Sequence, residues 1–377
     1  MVAILILSTA DFHSAVWTNK QHLAAGLARS FDVGYVESIG LRRPTLSKAD
    51  FKRVLNRFSS IRERKDGENA PTRLSIIRPK AIPFHASRIA RSFNKVSLAK
   101  TITDWKSKNS GPYILWTFSP LSYGLEDYFD ATIYHSVDFL HHIPGIPSEI
   151  LLKAEGEILS KADAVVCSSV VIASHLHKLG RQDVLVWENV ADTDVFIPDC
   201  EQTRSEQAIF AGNLTPTKVD FGLLEKIADH GIRVVLAGPI SIDGQQSEAR
   251  LSKLLANPNI EYLGNKSPSE LARLMNQSTV GLIPYLSNSY TEGVFPMKVY
   301  EYLASGLSVI STNLPSLRHV QDEDILRATN EDEYVRFVGH RLAATGDDVA
   351  QRKKRSAAFS WTSRTKDAKD LIESLVA

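Results

Sequence analysis

Residues 288–315, NSYTEGVFPMKVYEYLASGLSVISTNLP, constrain the chain more than any other stretch. Pro296 suits the first turn of a helix, where its missing N–H costs nothing. Phe295 before it is pushed to an extended conformation. Residues 297–305 then read as helix, and Gly306 closes it as a C-terminal cap. LSVIST follows as a short apolar run of strand type. The order loop, helix, turn, buried strand is that of a parallel α/β sheet. A helix start beside a loop carrying Glu292 concentrates unpaired N–H groups and the positive end of the helix dipole, which suits a phosphate. Lys298 falls in the first turn, and Glu301, three residues on, shares its face. A cation for a diphosphate and a carboxylate for ribose hydroxyls fit a nucleotide there. From spacing alone, an amphipathic helix with a solvated Lys298–Glu301 pair reads equally well.

The stretch resembles the donor-site signature of group 1 glycosyltransferases with the GT-B fold. TEGVFPMKVYEYLASGLSVIST is closest to the branch acting in bacterial exopolysaccharide and teichuronic acid synthesis, which includes the xanthan-type glucuronosyltransferases. There a P-M-K triplet sits at the donor diphosphate. The resemblance implies that Met297 and Lys298 meet the diphosphate and Glu301 the ribose. Glu292 and Glu301 are nine apart, one further than in the broader family's retaining members, so the role of Glu292 and the stereochemistry stay open.

Elsewhere short apolar runs alternate with helical periodicity in both halves, the pattern of doubly wound parallel sheets. The 377 residues suggest two domains. With the resemblance, the expected class is α/β: two Rossmann-like doubly wound parallel-sheet domains facing an interdomain cleft. An acceptor-binding domain is expected over 1–190 and a nucleotide-sugar domain over 191–358, with a helix over 359–377 crossing back to the first. The segment 187–192, WENVAD, stands where the family's hinge lies.

In the second half, GNLTPTK over residues 212–218 follows a strand. It is no P-loop, since no Gly precedes Lys218 and no Ser or Thr follows it. It resembles the family loop in which Gly212 and Asn213 admit the donor and Lys218 reaches its phosphates. Gly238 and Pro239 end the next strand, and Gly264 and Asn265 occupy the place where the family's main chain takes the base.

In the first half, a strand–loop–helix opens the chain. Loops at the carboxyl ends of parallel strands are where such sheets bind ligands, so Asp11, His13, Trp17 and His22 are acceptor-site candidates. Packing of Trp17 and His22 against the sheet is the plainer alternative. YHSVD at the end of DATIYHSVD offers Asp138 as general base on an acceptor hydroxyl, with His135 as a donor or acceptor contact and a rival base. Asp138 as the cap of a turn is the alternative. His135, His141 and His142 lack a helical i, i+4 pair with a carboxylate partner, so no metal is expected there.

Composition sets the remaining bounds. Two cysteines, Cys167 and Cys200, give neither a disulfide framework nor a metal spacing, and a cytoplasmic location is the default. The opening VAILIL is too short for a signal sequence. The net charge of +1 hides an asymmetry: residues 41–108 hold 18 Lys or Arg against 5 Asp or Glu. Such a segment suits an anionic surface, and a peripheral position on the inner membrane face with a lipid-linked acceptor follows as an expectation. A solvated face is the alternative, and no nucleic-acid module is present. Around Arg53, Arg57 and Arg64, apolar Phe51, Leu55, Phe58 and Ile61 give an amphipathic helix pattern.

The resemblance therefore implies a metal-independent glycosyltransferase with no resident cofactor, using a UDP- or GDP-linked sugar. A nucleotide-sugar 2-epimerase, another enzyme on the same fold, and a non-catalytic nucleotide-sugar-binding protein are the rivals.

Overall fold

The computed structural model describes residues 2–14, 16–41, 71–143, 145–197, 203–240, 245–344 and 349–377. The amphipathic helix expected around Arg57, and Cys200, lie outside them. The chain divides into two compact units. One holds Met1–Glu188 with Arg364–Ala377, the other Asn189–Ser363.

The first unit is built on seven strands: β1 (Ala3–Leu7), β2 (Asp32–Val36), β3 (Leu74–Ile77), β4 (Tyr113–Thr117), β5 (Ala131–Ser136), β6 (Ala164–Cys167) and β7 (Val184–Val186). They run parallel in the order β3-β2-β1-β4-β5-β6-β7. All five residues of β1, AILIL, are fully buried, because helices cover both faces and leave no polar side to alternate with. Ile4 and Ile6 face a cluster with Leu23, Trp116, Ala368 and Ile372. Ala3, Leu5 and Leu7 face Leu98, Ile102 and Trp105 on the other side. The last helix, Trp361–Val376, thus buries its apolar stripe within this unit from Arg364 onward.

The second unit carries β8 (Gln207–Ala211), β9 (Arg233–Ala237), β10 (Ile260–Tyr262), β11 (Val280–Ile283), β12 (Ser308–Thr312) and β13 (Ile325–Ala328), parallel in the order β10-β9-β8-β11-β12-β13. Buried Arg352 donates to Asp324 (2.8 Å) and to the Gly306 carbonyl (2.6 Å). Burial alone would raise the Asp324 carboxyl, but Arg352, Arg355 and Arg341 outweigh it and hold it below its ordinary range.

In each sheet the strand order reverses once, between β1 and β4 and between β8 and β11. Connections on either side of such a reversal leave in opposite directions and open a crevice at the strands' carboxyl ends. In the second sheet the opening is visible in the backbone. β8 and β11 pair only at Ala208–Val280 and Ile209–Gly281. Beyond that the buried Tyr302 hydroxyl spans the gap, accepting from Ala211 N (3.0 Å) and donating to the Leu282 carbonyl (3.2 Å).

Candidate functional site

In the second unit the candidate residues gather where β8 and β11 part. Gly212 follows β8 at φ 154°. A Cβ added there would run into the Lys298 side chain, so the ammonium of Lys298 lies directly over the Gly212 backbone. Gly238 ends β9 at φ 136°, and a Cβ on it would strike the Gly212 carbonyl. Two bare glycines therefore let three segments close up at one point. Lys218 Nζ stands 4.5 Å from the ring centre of Tyr285, which follows β11.

The electrostatics of this corner are coupled. Burial would raise the Tyr285 phenol, but Lys218 and Lys298 outweigh it and hold it below its ordinary value. Burial opposes the charge on Lys298, yet Tyr285 and Glu301 overcome it, so the ammonium is firmly protonated. Glu301 is pushed up by burial against the pull of Lys298, with Asp192 adding to the rise. Among the described residues neither lysine is recorded in a close ion pair with a carboxylate. Two cations thus converge with a surplus of positive charge, beside one reluctant carboxylate.

The neighbouring candidates fall around it. The helix runs Lys298–Ala304, seven residues, with Met297 at its N-cap, one residue shorter at each end than the sequence suggests. Glu292 is exposed on a 3₁₀ turn, Thr291–Gly293. The Gly264 carbonyl accepts from Gly238 N (2.8 Å), and the Pro239 carbonyl from Leu214 N (2.9 Å). Asn213 and Asn265 are exposed beside these turns.

In the first unit a set of hydrogen bonds holds the loop after β1. Ser8 Oγ meets Tyr35 Oη (2.6 Å), Phe12 N donates to Glu37 Oε1 (3.1 Å), and Gln21 Nε2 donates to the Asp11 carbonyl (3.0 Å). Asp11 and His13 are exposed on it. Trp17 stands edge-on to His22, ring centres 5.3 Å apart, with Phe12 beneath at 5.2 Å from Trp17.

Burial lowers the His22 imidazole to about 4. Unfolded histidine takes up a proton near pH 6.5 and folded His22 does not, so stability falls as pH drops from about 6.5 toward 4, by about 3 kcal/mol at most. His22→Gln removes that penalty. Urea titrations at pH 7.5 and 5 should show the wild type losing ground against the variant at the lower pH. An equal gap at both would refute the assignment.

Asp138 follows β5 and is partly buried. Its charge partner is Lys20, which no sequence motif singled out. Burial lowers the Lys20 amine while Asp138 works to raise it. Lys20 is 7% exposed, with Nζ 5.7 Å from the Phe118 ring centre. His135, expected as a donor or acceptor contact, is buried. It is 4% exposed, stacked on Phe118 at 4.8 Å, and its Nδ1 accepts from Trp116 Nε1 (3.4 Å). Burial, then the charges of Arg364 and Lys20, drives its pKa well below the ordinary value. It is a neutral imidazole packed between Phe118 and Trp116, and its buried Nε2 has no hydrogen-bond partner among the described residues.

Residues 199–332 match the family model "Glycosyl transferases group 1". TuaH of Bacillus subtilis (strain 168), named as a teichuronic acid biosynthesis glycosyltransferase, is 28% identical over 226 residues. The match covers 56% of this chain and 56% of that one, so the chain spans about half the length of the curated relative it matches. Among solved structures, sucrose-phosphate synthase from Thermosynechococcus elongatus superposes with a TM-score of 0.70 at 16% identity, covering 100% of this chain and 99% of the other. HepE of Anabaena, solved with UDP and glucose, gives 0.68 at 12%, covering 99% and 100%. At such identities the likeness establishes the fold, two parallel-sheet α/β units of the GT-B kind.

Proposed function

We propose that this chain, which carries a group 1 glycosyltransferase domain on the GT-B fold, moves a sugar from a nucleotide-diphosphate sugar to an acceptor hydroxyl in the synthesis of a cell-surface polysaccharide. The observation that carries the reading is the convergence of Lys218 and Lys298 at Tyr285 and the bare backbone of Gly212. Two ammonium groups that, among the described residues, make no carboxylate ion pair suit a leaving diphosphate, whose charge develops as the glycosidic C–O bond breaks. The seven-residue helix adds little dipole of its own, so the lysines carry the task. Glu301 takes the ribose hydroxyls, and Gly238, Pro239, Gly264 and Asn265 line the approach of the base. HepE's UDP supports a uridine donor here.

In the first unit, for a transfer that inverts, Asp138 is the base. The acceptor O–H proton passes to its carboxylate as the acceptor oxygen bonds the anomeric carbon, and the electron pair of the broken bond leaves on the diphosphate. The charge stabilisation that a divalent cation gives elsewhere comes here from Lys218 and Lys298. Asp11, His13, Trp17 and His22 bracket the acceptor.

The acceptor is lipid-linked, on the evidence of one helix. Arg88–Lys106 buries Ala90, Leu98, Ile102 and Trp105, yet also exposes Ile89 (83%), Phe93 and Val96 (70%) along a second stripe, with Phe84 before it. Arg88, Arg91, Lys95 and Lys100 stand exposed around that stripe. An ordinary surface helix is polar outward; an apolar stripe amid cations suits an anionic bilayer. No helix among the described residues is long and apolar enough to cross a membrane.

The test incubates the protein with UDP- and GDP-sugars, with and without lipid-linked saccharide in phosphatidylglycerol or phosphatidylcholine vesicles. Diphosphate release that needs the acceptor, and is faster on the anionic vesicles, is expected. Conversion of donor alone would make the protein an epimerase, and binding without turnover on any acceptor a non-catalytic one.

A further inference from the structure

We propose that His141, His175 and Glu155 form a divalent transition-metal site of the type that takes zinc. The three come from separate elements: the 3₁₀ turn Leu140–His142, the helix Val170–Lys178 and the helix Ser148–Lys161. One ligand atom from each lies within 4.8 Å of the others. Tetrahedral zinc, with bonds of about 2.0–2.2 Å, needs donor atoms about 3.3 Å apart. His175 Nε2 and Glu155 Oε2 stand 2.8 Å apart, so small side-chain rotations bring the set to that spacing.

The surroundings are those of a held site rather than a chance surface cluster. Glu155 is 6% exposed, and its other oxygen, Oε1, accepts from the hydroxyl of buried Tyr134 (2.7 Å). That fixes the carboxylate with one oxygen aimed at the histidines, the second-sphere arrangement that orients metal-bound carboxylates. The His141 and His175 ring centres are 5.2 Å apart at 29°. Two imidazoles sharing one tetrahedral ion at the bond lengths above have centres about 5 Å apart. Phe139 packs on both rings, at 5.5 and 5.4 Å, and closes one side. The His142 ring packs beside that of His141, centres 4.2 Å apart, and is not one of the three clustered ligands. Both ligand histidines are partly exposed, which gives an ion its way in. Two imidazoles and one carboxylate select zinc and its neighbours, whereas calcium and magnesium want oxygen throughout.

A bound ion would tie the turn just after Asp138 to two helices and so hold the loop that carries the base. The ion would be structural, and the site stands whether or not the transfer reaction does.

The test titrates cobalt(II), then zinc(II), into the untagged full chain after chelator treatment. Expected are one cobalt(II) per chain with the visible absorption of a tetrahedral site, its displacement by zinc(II), and a zinc-dependent rise in melting temperature. His141→Ala removes a partly exposed side chain and should weaken cobalt(II) binding at least tenfold with an unchanged circular dichroism spectrum. His177→Ala, exposed on the same helix and outside the cluster, should not change it. No stoichiometric binding, or binding undiminished in His141→Ala, would overturn the proposal.

Discussion

Lys298→Ala is expected to lower kcat/KM for sugar transfer about a thousandfold, roughly 4 kcal/mol of transition-state stabilisation, while the protein stays folded. The ammonium lies against Gly212, and its charge is secured by Tyr285 and Glu301 against burial. In the ground state the bond from the anomeric carbon leaves the bridging oxygen of the diphosphate uncharged. As that bond breaks the charge concentrates on the leaving oxygens, so the lysine acts more strongly on the transition state than on bound donor. The loss in kcat should therefore exceed the rise in KM for the donor. Removing the cation leaves Glu301 partly buried beside no counter-charge. Its carboxyl, already raised by burial, would take a proton, and that limits the cost to stability. Steady-state kinetics with far-ultraviolet circular dichroism check both halves. Near-normal transfer by the variant would remove the diphosphate from this place.

Asp138→Asn should lower kcat by a factor of about 10² to 10⁴, the usual worth of a positioned base, with donor affinity unchanged. The substitution keeps the shape and removes only the proton acceptor. Donor affinity is spared because Lys218, Lys298 and Glu301 belong to the other unit. The acid limb of the pH–rate profile should vanish with the carboxylate. Lys20, whose amine is already lowered by burial, loses its counter-charge and releases its proton more readily, so the fold tolerates the change. Titrating nucleoside diphosphate into the variant separates lost chemistry from lost structure. A loss of less than threefold with the acid limb intact would show that Asp138 is not the base.

The sequence and the structure agree most closely where the determinants are local. Pro296, the periodic run after it and Gly306, at φ 80°, specify the turn–helix–turn of the donor stretch within one residue at either end. The buried strands were equally readable, because parallel strands covered on both faces become unbroken apolar runs such as AILIL. What the sequence concealed is what chain topology assembles. Lys20 precedes QHLA in a helix and meets Asp138 from the far side of the strand reversal. Tyr285 ends one strand and takes its cations from two other segments. Tyr302 lies in the donor helix, and only the fold brings its hydroxyl across the strands where they part. His141 and His142 lacked a metal partner at helical spacing, while His175 and Glu155 arrive from two later helices. The burial of His135, expected as a donor or acceptor contact, was not legible either, because a residue at a strand's end can still point into the core.

The central claim is that a nucleoside diphosphate binds where β8 and β11 part. Crystals soaked with UDP or GDP test it most directly. The account predicts diphosphate density between Lys218, Lys298 and the Gly212 backbone, with the ribose on Glu301. A nucleotide ordered elsewhere on the chain, with those side chains untouched, would contradict it.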